Sequence, residues 1–561
     1  MNKYSIITKT VIVSVMLLLL SGCEDFLNRP TEDNYTVDSF YQTDEQCFQA
    51  VNPVYNSPWY DFQRGFFKVG EVLSGNYYWG SSPYLTFTIN STDEDLTNMS
   101  ASLWSVNAYC NGIIENIDMK AGPDVSEYAK NTVKGEALVW KAMTYFYLVR
   151  TFGAVPIIHN NSAMISAGDY NQIFKATIPN VYDYIIMTLE KAIEWLPESN
   201  DPGRIDLYTA YGLLSKVYLT KAGYGMSGSR NQDDLDKAAL YAGKVIDESG
   251  RNLLPVYSDV FRLKNNYSEE SLLAWHWVVS NQWTSQNTLQ SDLGIQGIDE
   301  YGATWGGYRG PSVDLQDAFG ENALSLTRNN VDARRKATMM MYGDKYDYFW
   351  VDKGGLDYTE FAVESMEYQS PVGANEVKHI VGNDNDHQIG IGHAMARMAT
   401  SLSTHLLRLS DVYLIYAEAV LGNSASTSDA KALKAFNDVR GRSVQGYEAK
   451  TSITWQDIWK ERRLELACEG DRWYDYVRWH YYEPAKAIAE IKAQRRNQYI
   501  GLGQYYTTGV LDPENTYYDT GATAPNVTDA HFQLPFPDTD LTMNPNLLLD
   551  PVEFDLSTIQ Y

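Results

Sequence analysis

Ile458-Trp459-Lys460-Glu461-Arg462-Arg463-Leu464-Glu465-Leu466-Ala467-Cys468-Glu469-Gly470-Asp471-Arg472-Trp473-Tyr474-Asp475-Tyr476-Val477-Arg478-Trp479 interleaves charges with large rings. Helical periodicity predicts helix over 454–480. Glu465 and Glu469, four apart, then share one helix face. A glycosidase needs two carboxyls about 5–9 Å apart, so this pair could be catalytic. The run Glu461-Arg462-Arg463-Leu464-Glu465, however, supplies matched cations. The acids therefore read as members of a buried ion-pair network, with Arg462 and Glu465 as partners. The helix is scaffold.

Outward from it, helical spacing recurs at 404–421, 427–441 and 484–497. In the first half of the chain Ile113, Ile117, Val133, Ala137, Trp140, Thr144 and Leu148 keep the same period. Tyr182, Ile185, Ile186, Leu189, Ile193 and Leu196 form the clearest amphipathic helix, stopped by Pro197. Tyr208 to Ala222 follows, ended by Gly223, and another helix begins after Asp233-Asp234 and runs to about Glu248. Helix pairs of roughly 34–45 residues predict a mainly α scaffold of tetratricopeptide-like repeats, over about 101–250 and 404–497. Residues 56–100 and 250–400 read as irregular insertions with minor β character, such as the strand-like run Leu272 to Val279, where Trp275 and Trp277 alternate and one should face the core. A long insertion of this kind is functional or disordered, and its aromatic content argues against disorder. The tail, 498–561, is Pro-punctuated and irregular. Everything from residue 23 to 561 reads as a single domain.

The chain has 561 residues, with 45 Lys and Arg against 71 Asp and Glu. That balance excludes a nucleic acid partner, whose affinity comes from clustered cations. Tyrosine is over-represented at 42 residues, beside 14 Trp. Such rings suit surfaces with one apolar face and one hydrogen-bonding tip. Cys23, Cys47, Cys110 and Cys468 are too few and too scattered for a disulfide scaffold. Lys3 and Lys9, the apolar run Val11 to Leu20 and then Ser21-Gly22-Cys23 read as a secretory signal over 1–22. That run is too short to span a bilayer.

Gly223-Tyr224-Gly225-Met226-Ser227-Gly228 spells GxGxxG, but a helix and not a strand precedes it, and Asp233, Asp234 and Asp236 would repel phosphate. A helix-capping loop is the better reading. Asp384, Asp386 and His387 could hold a structural calcium, although the EF-hand glycine and glutamate are missing; no other metal or cofactor is expected. No nucleophile elbow is present. The aromatic clusters are stronger candidates. Tyr78 and Trp79 stand between Gly75 and Gly80, while Tyr301, Trp305, Tyr308 and Arg309 are interleaved with four glycines, and Trp283 lies upstream. Flanking glycine exposes a ring, a sugar's C–H face stacks on it, and Arg309 can donate to hydroxyls. Trp79 and Trp305 are expected to form the open platform of a sugar site.

The quoted stretch resembles the signature ERRxEL…EGxRWxDLxRW of SusD/RagB-type outer-membrane nutrient-binding lipoproteins. Leu407-Arg408-Leu409-Ser410-Asp411-Val412-Tyr413-Leu414-Ile415-Tyr416-Ala417-Glu418-Ala419 is similar to the family's RLaDvyLiyAEA helix. Asn437-Asp438-Val439-Arg440 is similar to its NxVR, and Leu534-Pro535-Phe536-Pro537 with Asn544-Pro545-Asn546-Leu547 to its LPIP…NPnL tail. Tyr476 and Phe536 depart mildly from the common Leu and Ile. Leu20-Ser21-Gly22-Cys23 resembles a bacterial lipobox, and Glu24-Asp25 a surface-export signal. The resemblance implies a helical body with a looped, variable ligand face and no enzymatic activity. It implies lipid attachment at Cys23, an outer-membrane location facing the cell exterior, and capture of an oligo- or polysaccharide for a SusC-like TonB-dependent transporter. A peptide-capturing member of the same family is one alternative. A surface glycoside hydrolase, favoured by the tyrosine content but lacking a credible acid pair, is the other.

Overall fold

A computed structural model describes residues 40–168, 171–364, 370–520 and 525–561. The signal segment, Cys23 and Glu24-Asp25 lie outside the described residues. The helices of the body are α1 (Asp44–Val51), α2 (Glu94–Lys120), α3 (Glu127–Phe152), α4 (Ile178–Trp195), α5 (Leu207–Lys221), α6 (Gln232–Glu248), α7 (Asp384–Ile391), α8 (Leu409–Leu421), α9 (Ala430–Gly441), α10 (Trp455–Glu465), α11 (Arg472–His480) and α12 (Pro484–Ala493). Most start where a short polar side chain satisfies an otherwise orphaned N–H. Asp93, Ser126, Thr177, Asp206 and Asn231 cap α2 to α6 in this way. Thr454 and Asp457 form a reciprocal capping box on α10.

Consecutive helices pack on one another: α2 on α3, α3 on α4, α5 on α6, then α6 on α8 and α8 on α9. From Gly135 to Phe152 every residue of α3 is buried, which is why its apolar pattern is less one-sided than that of α4. One hydrophobic cluster runs from Tyr41 to Leu534. The GxGxxG segment is a loop after α5, with Gly225 and Gly228 at positive φ, and the Asn231 N–H closes back on the Ala222 carbonyl.

Among the described residues ten short strands form two-stranded antiparallel ribbons: β1 (Tyr77–Tyr78) with β3 (Gly310–Pro311), β2 (Ser271–Trp275) with β8 (Thr404–Arg408), β4 (Met339–Met341) with β7 (Ala374–Glu376), β5 (Lys345–Tyr346) with β6 (Leu356–Asp357), and β9 (Tyr499–Ile500) with β10 (Tyr517–Tyr518). The β2–β8 ribbon joins the two ends of the 250–400 insertion at its base. Residues 404–408, expected to be helical, are its second strand. Trp275 and Trp277 are both buried, where alternation predicted one, because the chain leaves β2 after Trp275 and the Trp277 indole then donates to Thr404 Oγ1 at 3.0 Å.

The helix expected over 454–480 is broken between Glu465 and Arg472, with Cys468 (φ 64°) and Gly470 (φ 78°) left-handed. The buried carboxylate of Glu71 holds the break, accepting from the N–H groups of Cys468 (3.0 Å) and Gly470 (2.8 Å). Only glycine fits at 470, since an added Cβ would sit 2.2 Å from the Phe66 ring. Glu469 is therefore not on the helix of Glu465. The two still meet, through a shared cation: Arg408 reaches Glu465 Oε1 at 3.1 Å and Glu469 Oε2 at 2.6 Å.

Arg442 (2.6 Å) and Arg334 (3.1 Å) complete the cage of Glu465 and hold its carboxyl far below the usual range against the cost of burial. Arg462 and Glu465 are not partners. Arg462 instead binds Asp411 (2.6 Å) and Asp475 (3.1 Å) in a separate buried cluster that Lys216 and Arg478 extend. The ion-pair reading of the stretch is borne out, and its pairing is corrected.

Candidate functional site

The β1–β3 ribbon stitches the two aromatic segments together, pairing Tyr77 with Pro311 and Tyr78 with Gly310. Gly310 is obligatory here, since a Cβ would fall 1.8 Å from the Ala374 carbonyl oxygen of β7. Gly306 likewise packs against the backbone of Leu293, at the end of the short helix Leu289–Leu293, where an added Cβ would fall 2.2 Å from the Leu293 carbonyl carbon. That contact brings the Trp305 N–H to the Ser291 carbonyl (2.9 Å) and the Gly306 N–H to the Gly294 carbonyl (2.9 Å).

Asp292 on this short helix organises the face. The Trp305 indole N–H donates to its Oδ1 at 2.9 Å, and Arg309 Nη1 donates to its backbone carbonyl at 2.7 Å. Trp305 is thus tethered by its polar edge while 40% of the residue stays exposed. Burial pushes the Arg309 pKa down and Asp292 opposes that shift. The Arg309 guanidinium lies 3.8 Å from the centroid of the Trp79 ring.

Trp79 is consequently not an open platform. It is 9% exposed, packed beside Phe67 and Tyr77 and covered by Arg309. Its flanking glycines serve other ends: at Gly75 a Cβ would collide with the Gln494 side chain at 2.2 Å, and Gly80 makes a positive-φ turn. Tyr78 is also buried, its hydroxyl donating to Gln498 Oε1 at 3.0 Å. Strand alternation sends it away from Tyr77 and Trp79.

Trp283, 52% exposed, packs its edge on Tyr60 with ring centroids 6.3 Å apart. The loop that carries it is fixed from below by buried Gln63, whose side chain donates to the Gln286 carbonyl (3.3 Å) and accepts the Thr288 N–H (3.0 Å). Burial, with Asp61 and Asp292 near it, pushes the Tyr60 hydroxyl up to about 12, so it stays a neutral donor. Arg64, four residues on, is half exposed and lies 3.5 Å from Asp95 and 3.8 Å from Asp292. Tyr308 is 57% exposed. Tyr301 is exposed too, but its hydroxyl is already engaged near Asp384 Oδ2 (3.1 Å) and the Met395 carbonyl (3.2 Å).

The structure therefore groups Trp305, Arg309 and Trp79 around Asp292, with Trp283 and Tyr60 alongside. Tyr60, Arg64 and Asp292 were not legible as site residues. Only the i, i+4 spacing of Tyr60 and Arg64 hinted at a shared polar face. Among the described residues no group of three His, Cys, Asp or Glu side chains is placed to hold a metal. Asp386 instead accepts the backbone N–H groups of Trp350, Val351 and Asn383, and His387 is held between the His393 carbonyl and the Ser401 N–H.

On the helical body the loops thus present an exposed indole anchored through its N–H, a second exposed indole packed on Tyr60, and an arginine stacked on a buried ring. The chain belongs to the SusD family: the model described by that name matches residues 260–551, and one described as "Starch-binding associating with outer membrane" matches residues 25–219. A SusD-like protein of Bacteroides ovatus is 34% identical over 565 residues, covering 98% of each chain. A solved structure described as "with xylogluco-oligosaccharide" is 32% identical with a TM-score of 0.80, covering 91% of this chain and 99% of its own. A laminarin-binding SusD-like protein shares the fold at 22% identity and a TM-score of 0.65, covering 90% of this chain and 98% of its own.

Proposed function

We propose that this chain is a cell-surface glycan-binding lipoprotein that stacks an oligosaccharide on Trp283 and Trp305 and passes it to a SusC-like TonB-dependent transporter. The observation that carries the reading is the tethering of Trp305. Its indole N–H is satisfied by Asp292, so the open ring face offers apolar area alone, which is what a sugar's C–H face needs. Arg309, Arg64 and Tyr60 border the rings and supply donors to hydroxyls. Tyr308 extends the surface, and Trp79 supports Arg309 from beneath.

Xyloglucan oligosaccharide is the first ligand to test, because a relative 32% identical over nearly the whole chain is described with one. The protein acts by binding and release, with no catalysis and no cofactor. Titration calorimetry with xyloglucan and laminarin oligosaccharides tests this, and release of shorter products during incubation would sink it. Cys23 carries the lipid that holds the protein on the outer membrane facing outward; Cys23→Ala should move it to the soluble fraction, and continued attachment without labelled lipid would refute the anchor.

A further inference from the structure

One side of α7 lines a cavity of about 370 Å³ that contains a cation with no carboxylate bonded to it among the described residues. Asp384 at the start of α7 reaches toward Tyr301, whereas Asp386, Ile389 and Gly390 of the same helix line this cavity. Arg262, nine-tenths buried, projects into it. Its Nε donates to the Ser258 carbonyl at 3.3 Å, and the guanidinium lies 4.2 Å from the centroid of Tyr348 and 4.9 Å from that of Phe349. Among the described residues neither terminal nitrogen has a hydrogen-bond acceptor or a carboxylate within ion-pair distance. Nη2 is fully covered, which leaves Nη1 as the donor on the cavity side.

Other buried arginines of this chain are not left so. Arg334, Arg408, Arg462 and Arg478 all sit on carboxylates. Arg496, which has none, donates to Gln494 Oε1 and to the carbonyls of Leu85 and Leu73. An uncompensated buried charge is strongly unfavourable, and burial is the leading cause pushing the Arg262 pKa down.

Two of the three nearby acids are otherwise engaged: Asp386 takes three backbone N–H groups, and Asp259 faces Lys264 at 3.8 Å. The remaining wall is aliphatic, built from Leu263, Val381 and Leu402, with Ile389 exposed at its edge. The volume falls in the range of small-molecule sites. We infer that this cavity binds a small monocarboxylate with an apolar body, its carboxylate on Arg262 and its body against Leu263, Val381 and Leu402. Asp259, Asp347 and Asp386 line the same space and disfavour a second negative charge.

The test is titration of the full chain with 3-phenylpropionate and with its neutral isostere 3-phenylpropanamide. The acid should bind with a dissociation constant on the order of 1 mM or tighter, and the amide at least about tenfold more weakly. Arg262→Met should abolish the difference. Ile389→Glu, an exposed change that leaves the core alone, should weaken the acid selectively, and both variants should keep the wild-type affinity for glycan. No binding of the acid to the wild type, equal binding of acid and amide, or undiminished binding to both variants overturns the inference. Should Arg262→Met fail to fold, the acid–amide comparison and Ile389→Glu decide the matter.

Discussion

Replacing Trp305, Trp283 and Trp79 one at a time separates a stacking platform from a packed core. A whole tryptophan presents roughly 250 Å². Exposures of 40% and 52% leave about 100 Å² open at Trp305 and about 130 Å² at Trp283, against about 20 Å² for Trp79 at 9%. One sugar ring covers one face, about half of that open area. At ~25 cal/mol per Å² the first two rings then contribute about 1–2 kcal/mol each, and Trp79 directly about 0.3 kcal/mol. Trp305→Ala and Trp283→Ala should weaken binding roughly eight- to fifteenfold each, and the double variant about a hundredfold if the two act independently. Trp79→Phe, which keeps a ring beneath Arg309, should bind within about twofold of wild type. Titration calorimetry with a xyloglucan oligosaccharide reads all four affinities, and circular dichroism shows whether each variant is folded. Folded Trp283→Ala and Trp305→Ala proteins with undiminished affinity, or loss of binding on Trp79→Phe alone, would refute this assignment.

Arg462→Ala leaves Asp411 with Lys216 and Asp475 with Arg478, but removes the cation that joins the two acids, and should cost on the order of 3–5 kcal/mol. Because Glu465 belongs to a different cage, urea unfolding of Arg462→Ala, Glu465→Gln and the double variant should give additive losses within about 0.5 kcal/mol; strong coupling would mean that the two clusters act as one. Gly310→Ala forces a Cβ onto the Ala374 carbonyl and should lower the melting temperature and the glycan affinity together, since β3 leads directly from Arg309. Glu376 is buried, and its carboxyl is pushed from an ordinary 4.5 up to about 8, with Lys378 opposing the shift. Its folded pKa lies above the unfolded one, so it favours the fold at low pH, and that contribution fades as pH rises from about 4.5 through about 8. Glu376→Gln should therefore flatten the fall in stability across that window; an unchanged slope in denaturant titrations at pH 5 and 8 would refute it.

Local sequence was enough for most of the helices, because a 3.6-residue apolar period and a short polar cap are properties of neighbours in the chain. It was also enough to set aside GxGxxG as a phosphate loop, since the elements flanking a motif can be read around it. The matched charges from Glu461 to Arg478 announced burial by their number and their aromatic company. Their pairing could not be read there, because Arg334, Arg408 and Arg442 reach Glu465 from segments far away in the chain. The break at Cys468–Gly470 is of the same kind: helical period runs straight through it, and the Glu71 carboxylate, nearly four hundred residues earlier, supplies the hydrogen bonds that make a left-handed turn affordable. Glycines around Trp79 suggested an open ring, yet whether a ring is open depends on what lies above it, and Arg309 does. Trp305 had similar neighbours and stays open because Asp292 holds its edge and leaves its face free. Exposure, ion-pair partners and an Arg262 with no carboxylate bonded to it among the described residues are all decided by which distant segments meet, and chain closure through β1–β3 and β2–β8 decides that.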